Sequence, residues 1–283
     1  ATSCSRDASV LDWADFENDG VPGLLVGYPN DPSGRPYRLV QGDLADLISL
    51  VSWSTKGLGD LDGDGFVDVL VQMTDGRGFG LLSGIVRDTP KFTPQPSGLG
   101  QYFTWSSGDV DADGRLDLLG TGDNGPAWIR NVGTSSNRPP SVPSDLHFRR
   151  VRSGEIELAW APSTDPEQSG GLSYNVRLGT TPGANDVVSA LALPGGAALI
   201  PGYGNAGWRR HFLISGLELG RTYYWTVQAV DSGLGRSAFA SELSFTATAL
   251  PEISAIAHLS LPPNAGMQSV AFVWLMWVVL PEL

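Results

Sequence analysis

The chain of 283 residues lacks the residues and motifs that mark the common classes of enzyme. It has one cysteine, Cys4, and therefore cannot form an internal disulfide. Its three histidines do not have the spacing of metal ligands, and the sequence contains no G-x-S-x-G elbow, Walker loop or dinucleotide fingerprint. We therefore expect no catalytic residues in this chain.

Positive charge is scarce as well. The 18 basic residues are outnumbered by 30 acidic ones, which gives a formal net charge of −12 at pH 7, and 19 of the acids lie in residues 1–137. Binding to phosphate backbones needs basic patches. The nearest candidate, formed by Arg149, Arg150 and Arg152, is a short run typical of a solvated strand. We expect no nucleic-acid partner.

Long hydrophobic runs are also missing. The longest covers residues 270–280, which is eleven residues, whereas a membrane-spanning helix needs about 20. The sequence therefore predicts no membrane span. We interpret residues 251–283 as the start of an incomplete further β domain or an irregular tail.

One acidic motif, D-x-D-x-D-G-x-x-D, is written twice. Its first copy comprises Asp60, Asp62, Asp64, Gly65 and Asp68, and its second, 49 residues later, comprises Asp109, Asp111, Asp113, Gly114 and Asp117. A weaker copy, 45 residues before the first, comprises Asp15, Glu17, Asp19 and Gly20. We call residues 15–23, 60–68 and 109–117 loop 1, loop 2 and loop 3.

Alternating carboxylates around a glycine turn supply oxygen ligands for a hard cation, and calcium takes roughly 6–8 of them. The expected ligands are the four aspartates of loop 2 with the carbonyl of Phe66, and the four aspartates of loop 3 with the carbonyl of Arg115. Loop 1 offers Asp15, Glu17 and Asp19 but has Gly23 at the ninth position, so it either binds weakly or holds no ion.

Two other interpretations fit these loops less well. An EF-hand loop ends in an acidic twelfth residue and runs into a helix, but the twelfth residue here is Val71 or Gly120 and a strand follows. Metal-free Asp-Gly turns account for one or two aspartates, not for four in register. Four carboxylates in one loop repel one another, so we expect a Ca²⁺ ion in loops 2 and 3.

The pattern after each loop predicts β structure. A strand, a turn and a second strand recur, with strands predicted at residues 24–26, 37–40, 67–71, 79–82, 116–119 and 127–131. Several short strands in each period of about 45–50 residues are typical of propeller blades. A polar, proline-ended linker follows at residues 133–140. Beyond it, strands predicted at residues 146–151, 155–160, 172–178, 211–217, 223–230 and 241–247 indicate one β-sandwich over residues 138–250.

Residues 59–68 and 108–117 resemble the FG-GAP/VCBS repeat, and residues 127–133 resemble the strand that ends such a repeat. The resemblance covers about residues 8–135. It implies β-propeller blades with calcium in the loop between two strands, as in integrin α-subunit heads, some lectins and many bacterial surface proteins. Residues 1–137 would then hold three repeats, a partial propeller. Since closed propellers have about 4–8 blades, further blades from a longer chain or an oligomer would complete it.

Residues 216–231 resemble the E–F corner and F strand of a fibronectin type III domain. Trp160 stands at the position of that family's core tryptophan on strand B, and Leu219 stands where proline is common. Tyr223 matches the corner tyrosine, whose hydroxyl would bond the backbone just upstream. The resemblance assigns these residues structural roles.

The sequence therefore predicts an all-β chain, a partial β-propeller of FG-GAP/VCBS-type blades plus a fibronectin III-like β-sandwich. We expect a non-catalytic calcium-binding module, secreted or on the cell surface, for adhesion or for binding an extracellular glycan or protein. Weak multi-aspartate loops fill where calcium is about millimolar, and a start at Ala1 fits a processed secreted protein or an excised fragment. The alternative is an accessory propeller region of a larger secreted carbohydrate-active enzyme, because some polysaccharide lyases resemble it in carrying calcium-bound propellers.

Overall fold

The computed structural model describes residues 9–27, 37–41, 43–45, 52–73, 79–83, 91–94, 102–122 and 125–249. Strands and irregular segments make up all of these residues, and the described part of the chain contains no helix that could act as a membrane span. Cys4 and the predictions for residues 251–283 lie outside the described residues.

The N-terminal half folds into three antiparallel meanders, each with its strands in sequence order. The first contains β1 (Ser9–Ala14), β2 (Gly23–Gly27), β3 (Tyr37–Gln41) and β4 (Asp43–Ala45). The second contains β5 (Ser52–Gly59), β6 (Asp68–Met73), β7 (Phe79–Ser83) and β8 (Lys91–Pro94). The third contains β9 (Tyr102–Gly108), β10 (Asp117–Gly122) and β11 (Gly125–Ile129). Strand β5 lies between β1 and β9.

Each cation loop joins the first strand of a meander to the second, so the three loops occupy equivalent positions. The six predicted strands after the loops are confirmed as β2, β3, β6, β7, β10 and β11. The strands before the loops escaped prediction. Strand β5 shows why, because its sequence, SWSTKGLG, has no apolar alternation and its pairing with β6 is interrupted by two register shifts.

The second half is a β-sandwich of two antiparallel sheets. Its strands are β12 (His147–Arg152), β13 (Glu155–Ala159), β14 (Ser173–Gly179), β15 (His211–Ile214), β16 (Thr222–Val230) and β17 (Leu243–Thr246). One sheet has the order β12-β13-β15 and the other the order β14-β16-β17. All six strands confirm the sequence prediction. Leu158, Val176 and Trp225 lie fully buried between the sheets.

The two positions predicted from the fibronectin resemblance have the expected environments. Trp160 is buried and packs on Tyr174, with ring centroids 5.4 Å apart. The backbone N–H of Glu218 donates a hydrogen bond of 3.0 Å to the hydroxyl of Tyr223. The tyrosine therefore holds the turn that leads into β16.

Replacing Tyr223 by phenylalanine should lower the free energy of unfolding by about 1 kcal/mol, because the N–H of Glu218 loses its acceptor. Urea denaturation of the full chain measures this loss. Tyr224→Phe is the control, since neighbouring strand residues point to opposite faces. Equal stability of the Tyr223 variant and the parent protein would contradict a structural role for the corner.

Candidate metal centre

Loop 2 is curled around the carboxylate of Asp60. One oxygen of Asp60 accepts hydrogen bonds from the N–H groups of Gly63 (2.7 Å) and Asp64 (3.0 Å), and the other accepts from Gly65 (2.8 Å). Gly63 and Gly65 have φ angles of 78° and 83°, a left-handed conformation that favours glycine. The loop therefore keeps a tight turn with its carboxylates drawn together.

Asp68, the first residue of β6, is fully buried beneath this turn. Its Oδ2 atom accepts hydrogen bonds from the N–H groups of Leu61 (2.9 Å) and Asp62 (3.1 Å). Its Oδ1 atom is buried and has no hydrogen-bond partner. A buried polar atom left unpaired is costly, most of all on an ionised group. A bound cation would satisfy it.

Three carboxylates of loop 2 meet in one place. Asp60, Asp62 and Asp68 each offer an oxygen within 4.8 Å of the others. Asp64, also predicted as a ligand, lies outside this group, and its Oδ1 atom accepts the N–H of Phe66 at 3.0 Å. The structure thus brings together the first, third and ninth positions of the motif.

Burial and neighbouring carboxylates make ionisation of Asp60 and Asp68 in loop 2 unfavourable. Burial raises the pKa of Asp68 to about 8, and the charges of Asp62 and Asp60 add to that rise. Burial also raises the pKa of Asp60 to about 6, against the lowering effect of its three backbone hydrogen bonds. Hard carboxylate oxygens and one unpaired buried oxygen fit Ca²⁺.

Loop 3 has the same turn as loop 2, but the hydrogen bonds to its last carboxylate, Asp117, are different. The carboxylate of Asp109 accepts the N–H groups of Asp113 (3.1 Å) and Gly114 (3.0 Å), as Asp60 does in loop 2. Asp117 differs from Asp68 because both its oxygens have donors. These are the N–H groups of Val110 (3.3 Å) and Asn131 (2.7 Å) and the indole N–H of Trp128 (3.1 Å).

Arginines compensate part of the charge of loop 3. Arg130 pairs with Asp111 and, at 3.0 Å, with Asp113, and Arg115 also pairs with Asp113. Asp109, Asp111 and Asp117 still have oxygens within 4.8 Å of one another. Two guanidinium groups therefore offset part of the carboxylate repulsion in loop 3, and the Ca²⁺ ion expected there stays a prediction. Loop 2 is the better candidate for calcium.

Loop 1 keeps the turn without the cluster. The carboxylate of Asp15 accepts the N–H groups of Asp19 (3.2 Å) and Gly20 (2.7 Å), and burial raises the pKa of Asp15. Glu17 is exposed. Among the residues whose side chains are described, Asp15, Glu17 and Asp19 do not form a group of three close carboxylates. Whether loop 1 binds calcium weakly or holds no ion stays open.

The sandwich packs directly against loops 1 and 2 through four residues that we call the junction: Asn18, Gly65, Gln168 and Ser232. The side chain of Asn18 donates to the carbonyl of Gly65 at 2.7 Å, and Gln168 donates to Asn18 at 3.1 Å. Gln168 accepts the N–H of Ser232 at 2.8 Å, and the Ser232 hydroxyl donates to the carbonyl of Gly65 at 3.3 Å. No pattern in the sequence predicts these contacts.

Loop 3 meets the sandwich through the linker. The N–H of Asn137 donates to the carbonyl of Gly114 at 2.7 Å, and its side-chain amide donates to both oxygens of Asp231 at 2.9 Å. Asp231 is buried, and that burial raises its pKa to about 7. Asn137 thus anchors the predicted linker to a cation loop and to the sandwich.

Glycines on both sides let the backbones approach closely. A Cβ atom on Gly170 would lie 2.5 Å from the carbonyl oxygen of Asn18, and one on Gly65 would lie 2.3 Å from the carbonyl oxygen of Glu167. Both neighbours are backbone atoms, which cannot rotate away. The contact between loops and sandwich therefore requires glycine for space as well as for turning.

Gly170→Ala should destabilise the full chain by about 1 kcal/mol or more, because the added methyl group overpacks the junction. Gly195→Ala is the matched control, since nothing lies within 4 Å of its Cβ position. Neither glycine has a φ angle that disfavours alanine. Thermal melting of both variants compares them, and equal melting temperatures would show that the junction is loose in solution.

Comparison with known proteins finds similarity to fibronectin type III domains. The sixth such domain of human fibronectin type III domain containing protein 3 is 18% identical, over 47% of this chain and 100% of that domain, with a TM-score of 0.28. Another fibronectin type III domain of the same human protein is 19% identical, over 43% of this chain and 98% of that domain, with a TM-score of 0.28. No model of a protein family matches the chain, and no curated protein matches it significantly. The resemblance to FG-GAP/VCBS repeats stays a prediction.

Proposed function

We propose that the chain is a non-catalytic calcium-binding module, secreted or on the cell surface, in which Ca²⁺ in loop 2 holds the meanders in shape. The observation that carries this proposal is the Oδ1 atom of Asp68, buried and without a hydrogen-bond donor beside Asp60 and Asp62. Asp60, Asp62 and Asp68 would hold the ion. A bound Ca²⁺ ion would give the buried Oδ1 atom of Asp68 the partner that it lacks.

We further propose that the three meanders are blades of a β-propeller, completed by blades from a longer chain or by an oligomer. Two observations support this proposal. The antiparallel meander recurs with its loop at the same place, and β5 lies between β1 and β9. The sandwich then acts as an adhesion domain or spacer, and the ligand is an extracellular glycan or protein. Binding to a glycan array, compared with binding to extracellular proteins, distinguishes the two ligand classes.

Calcium should raise the melting temperature of the full chain, because a ligand that binds only the folded state stabilises it. The dissociation constant for calcium should be about 0.1–1 mM, the range of extracellular calcium modules, so the melting temperature should begin to rise at these concentrations. Differential scanning calorimetry of chelator-treated protein across a calcium series measures both, with magnesium at equal ionic strength as the control. A melting temperature that calcium leaves unmoved would overturn the proposal.

A further inference from the structure

We infer that Gln168 and Ser232 of the sandwich are positioning residues for the cation site of loop 2, so that calcium binding and docking of the sandwich stabilise each other. The inference rests on the proposed function and extends it to residues more than 100 positions away along the chain. None of these sandwich residues belongs to the acidic motif.

The backbone of loop 2 faces two ways. Inside the loop, the N–H of Gly65 donates to the carboxylate of Asp60 at 2.8 Å. Outside, the carbonyl of Gly65 accepts hydrogen bonds from Asn18 (2.7 Å) and Ser232 (3.3 Å), and the N–H of Asp60 donates to the carbonyl of Ser232 at 3.0 Å. The turn that gathers the carboxylates is thus the same turn that binds the sandwich.

Gln168 holds this arrangement together from the sandwich side. Its amide nitrogen donates to Asn18 (3.1 Å) and to the carbonyl of Gly170 (2.6 Å), and its oxygen accepts the N–H of Ser232 (2.8 Å). Gln168 is 4% exposed, so water does not replace these bonds where they are lost. Asn18, which has a φ angle of 57°, is buried in the same contact.

Calcium and the sandwich act on the same turn of loop 2. Without a cation, the buried Oδ1 atom of Asp68 has no partner, which favours opening of the turn, and an open turn moves the carbonyl of Gly65 away from Asn18 and Ser232. With a cation, the turn closes and presents that carbonyl to the sandwich. Because coupling between two equilibria is reciprocal, a weaker junction must also weaken calcium binding.

The experiment compares two buried glutamines in the full chain. Gln168→Ala removes three hydrogen bonds, two of them to the junction residues Asn18 and Ser232 and one to Gly170. Gln228→Ala removes three inside the sandwich, to Gly196, Ser237 and Asn175. Both variants should melt at a lower temperature than the parent protein. Calcium affinity, measured by isothermal titration calorimetry, should fall about tenfold for Gln168→Ala, the lower end of losses for outer-shell partners of metal ligands. It should stay unchanged for Gln228→Ala.

A second pair of variants, in which each substitution removes only a serine hydroxyl, tests the coupling if a glutamine variant does not fold. Ser232→Ala removes the hydroxyl bond to Gly65, and its control, Ser173→Ala, removes hydroxyl bonds to Val230 and Gly204 inside the sandwich. The affinity of Ser232→Ala alone should fall, by about threefold for one hydrogen bond at the low end of the usual range.

The outcomes separate this inference from the proposed function. If the parent protein binds calcium and all four variants bind it with the parent affinity, the coupling is absent while the calcium site stands. If the parent protein itself binds no calcium, the proposed function fails and the inference fails with it. A fall in affinity confined to the junction variants supports both.

Discussion

Asp68→Asn is expected to remove most of the stabilisation that calcium gives and, at pH 8, to leave the calcium-free protein at least as stable as the parent. In the parent protein, Asp68 Oδ2 accepts two backbone N–H groups, and Oδ1 has no donor. The amide oxygen of asparagine can keep both hydrogen bonds. Its nitrogen takes the place of Oδ1, where no bond is lost, and it cannot ligate a cation. The variant thus exchanges a buried charge for a neutral group of the same shape.

The size of the effect follows from ligand linkage. At a calcium concentration of 100 times Kd, binding contributes about 2.7 kcal/mol to the free energy of unfolding, and most of this should vanish in the variant. Urea denaturation with calcium and with chelator measures the contribution of calcium to the unfolding free energy, once for the parent protein and once for the variant. Asp145→Asn is the control for charge, because this exposed residue has a φ angle of 51° that asparagine tolerates.

The result would count against the metal centre in one clear case. If calcium stabilised Asp68→Asn as much as the parent protein, the ion would bind elsewhere. Loop 3 would then be the next candidate, because Asp109, Asp111 and Asp117 form the other close group in the described residues.

The strands after the loops, the strands of the sandwich and the acidic motif were predictable because their causes are local. Alternating aspartates around Gly65 and Gly114 dictate the turn, and the apolar runs after each loop dictate the second and third strands of each meander. The corner at Tyr223 likewise depends on an acceptor and a donor five residues apart. Patterns of this range are visible in the sequence.

The junction and the state of loop 3 were not predictable, because they depend on contacts between distant residues. Gln168 and Asn18 lie 150 positions apart, and no sequence pattern around a buried glutamine or asparagine predicts which residue it will bond. Arg130 pairs with Asp111 across 19 positions, so the charge of loop 3 seemed uncompensated in the sequence. Only the tertiary structure shows that loops 2 and 3, which share the acidic motif, differ in the donors around their last carboxylates, Asp68 and Asp117.

The stability of the calcium-free protein should depend more steeply on pH than that of the calcium-bound protein. In the calcium-free protein, burial raises the pKa values of Asp60, Asp231 and Asp68 from 3.8 to about 6, 7 and 8. The folded state then holds protons that the unfolded state releases. The stability that these groups contribute is fully present below pH 3.8 and is lost as the pH rises through the folded pKa values. Stability should therefore fall between about pH 4 and pH 8.

Asp60 alone, with a pKa raised by roughly two units, contributes on the order of 3 kcal/mol to this fall. Calcium removes this fall for its ligands, because it binds the deprotonated carboxylates of Asp60 and Asp68 and so binds more tightly as the pH rises. The increment in unfolding free energy from calcium should widen steadily from pH 5 to pH 8.

Urea denaturation at pH 5, 6, 7 and 8, with calcium and with chelator, measures that increment. Asp231→Asn should lower the pH dependence of both curves together, because Asp231 lies outside the ligand group. Asp68→Asn should instead bring the two curves together at every pH. Parallel curves for the parent protein, with the same calcium increment at pH 5 and pH 8, would mean that these buried carboxylates do not bind the ion.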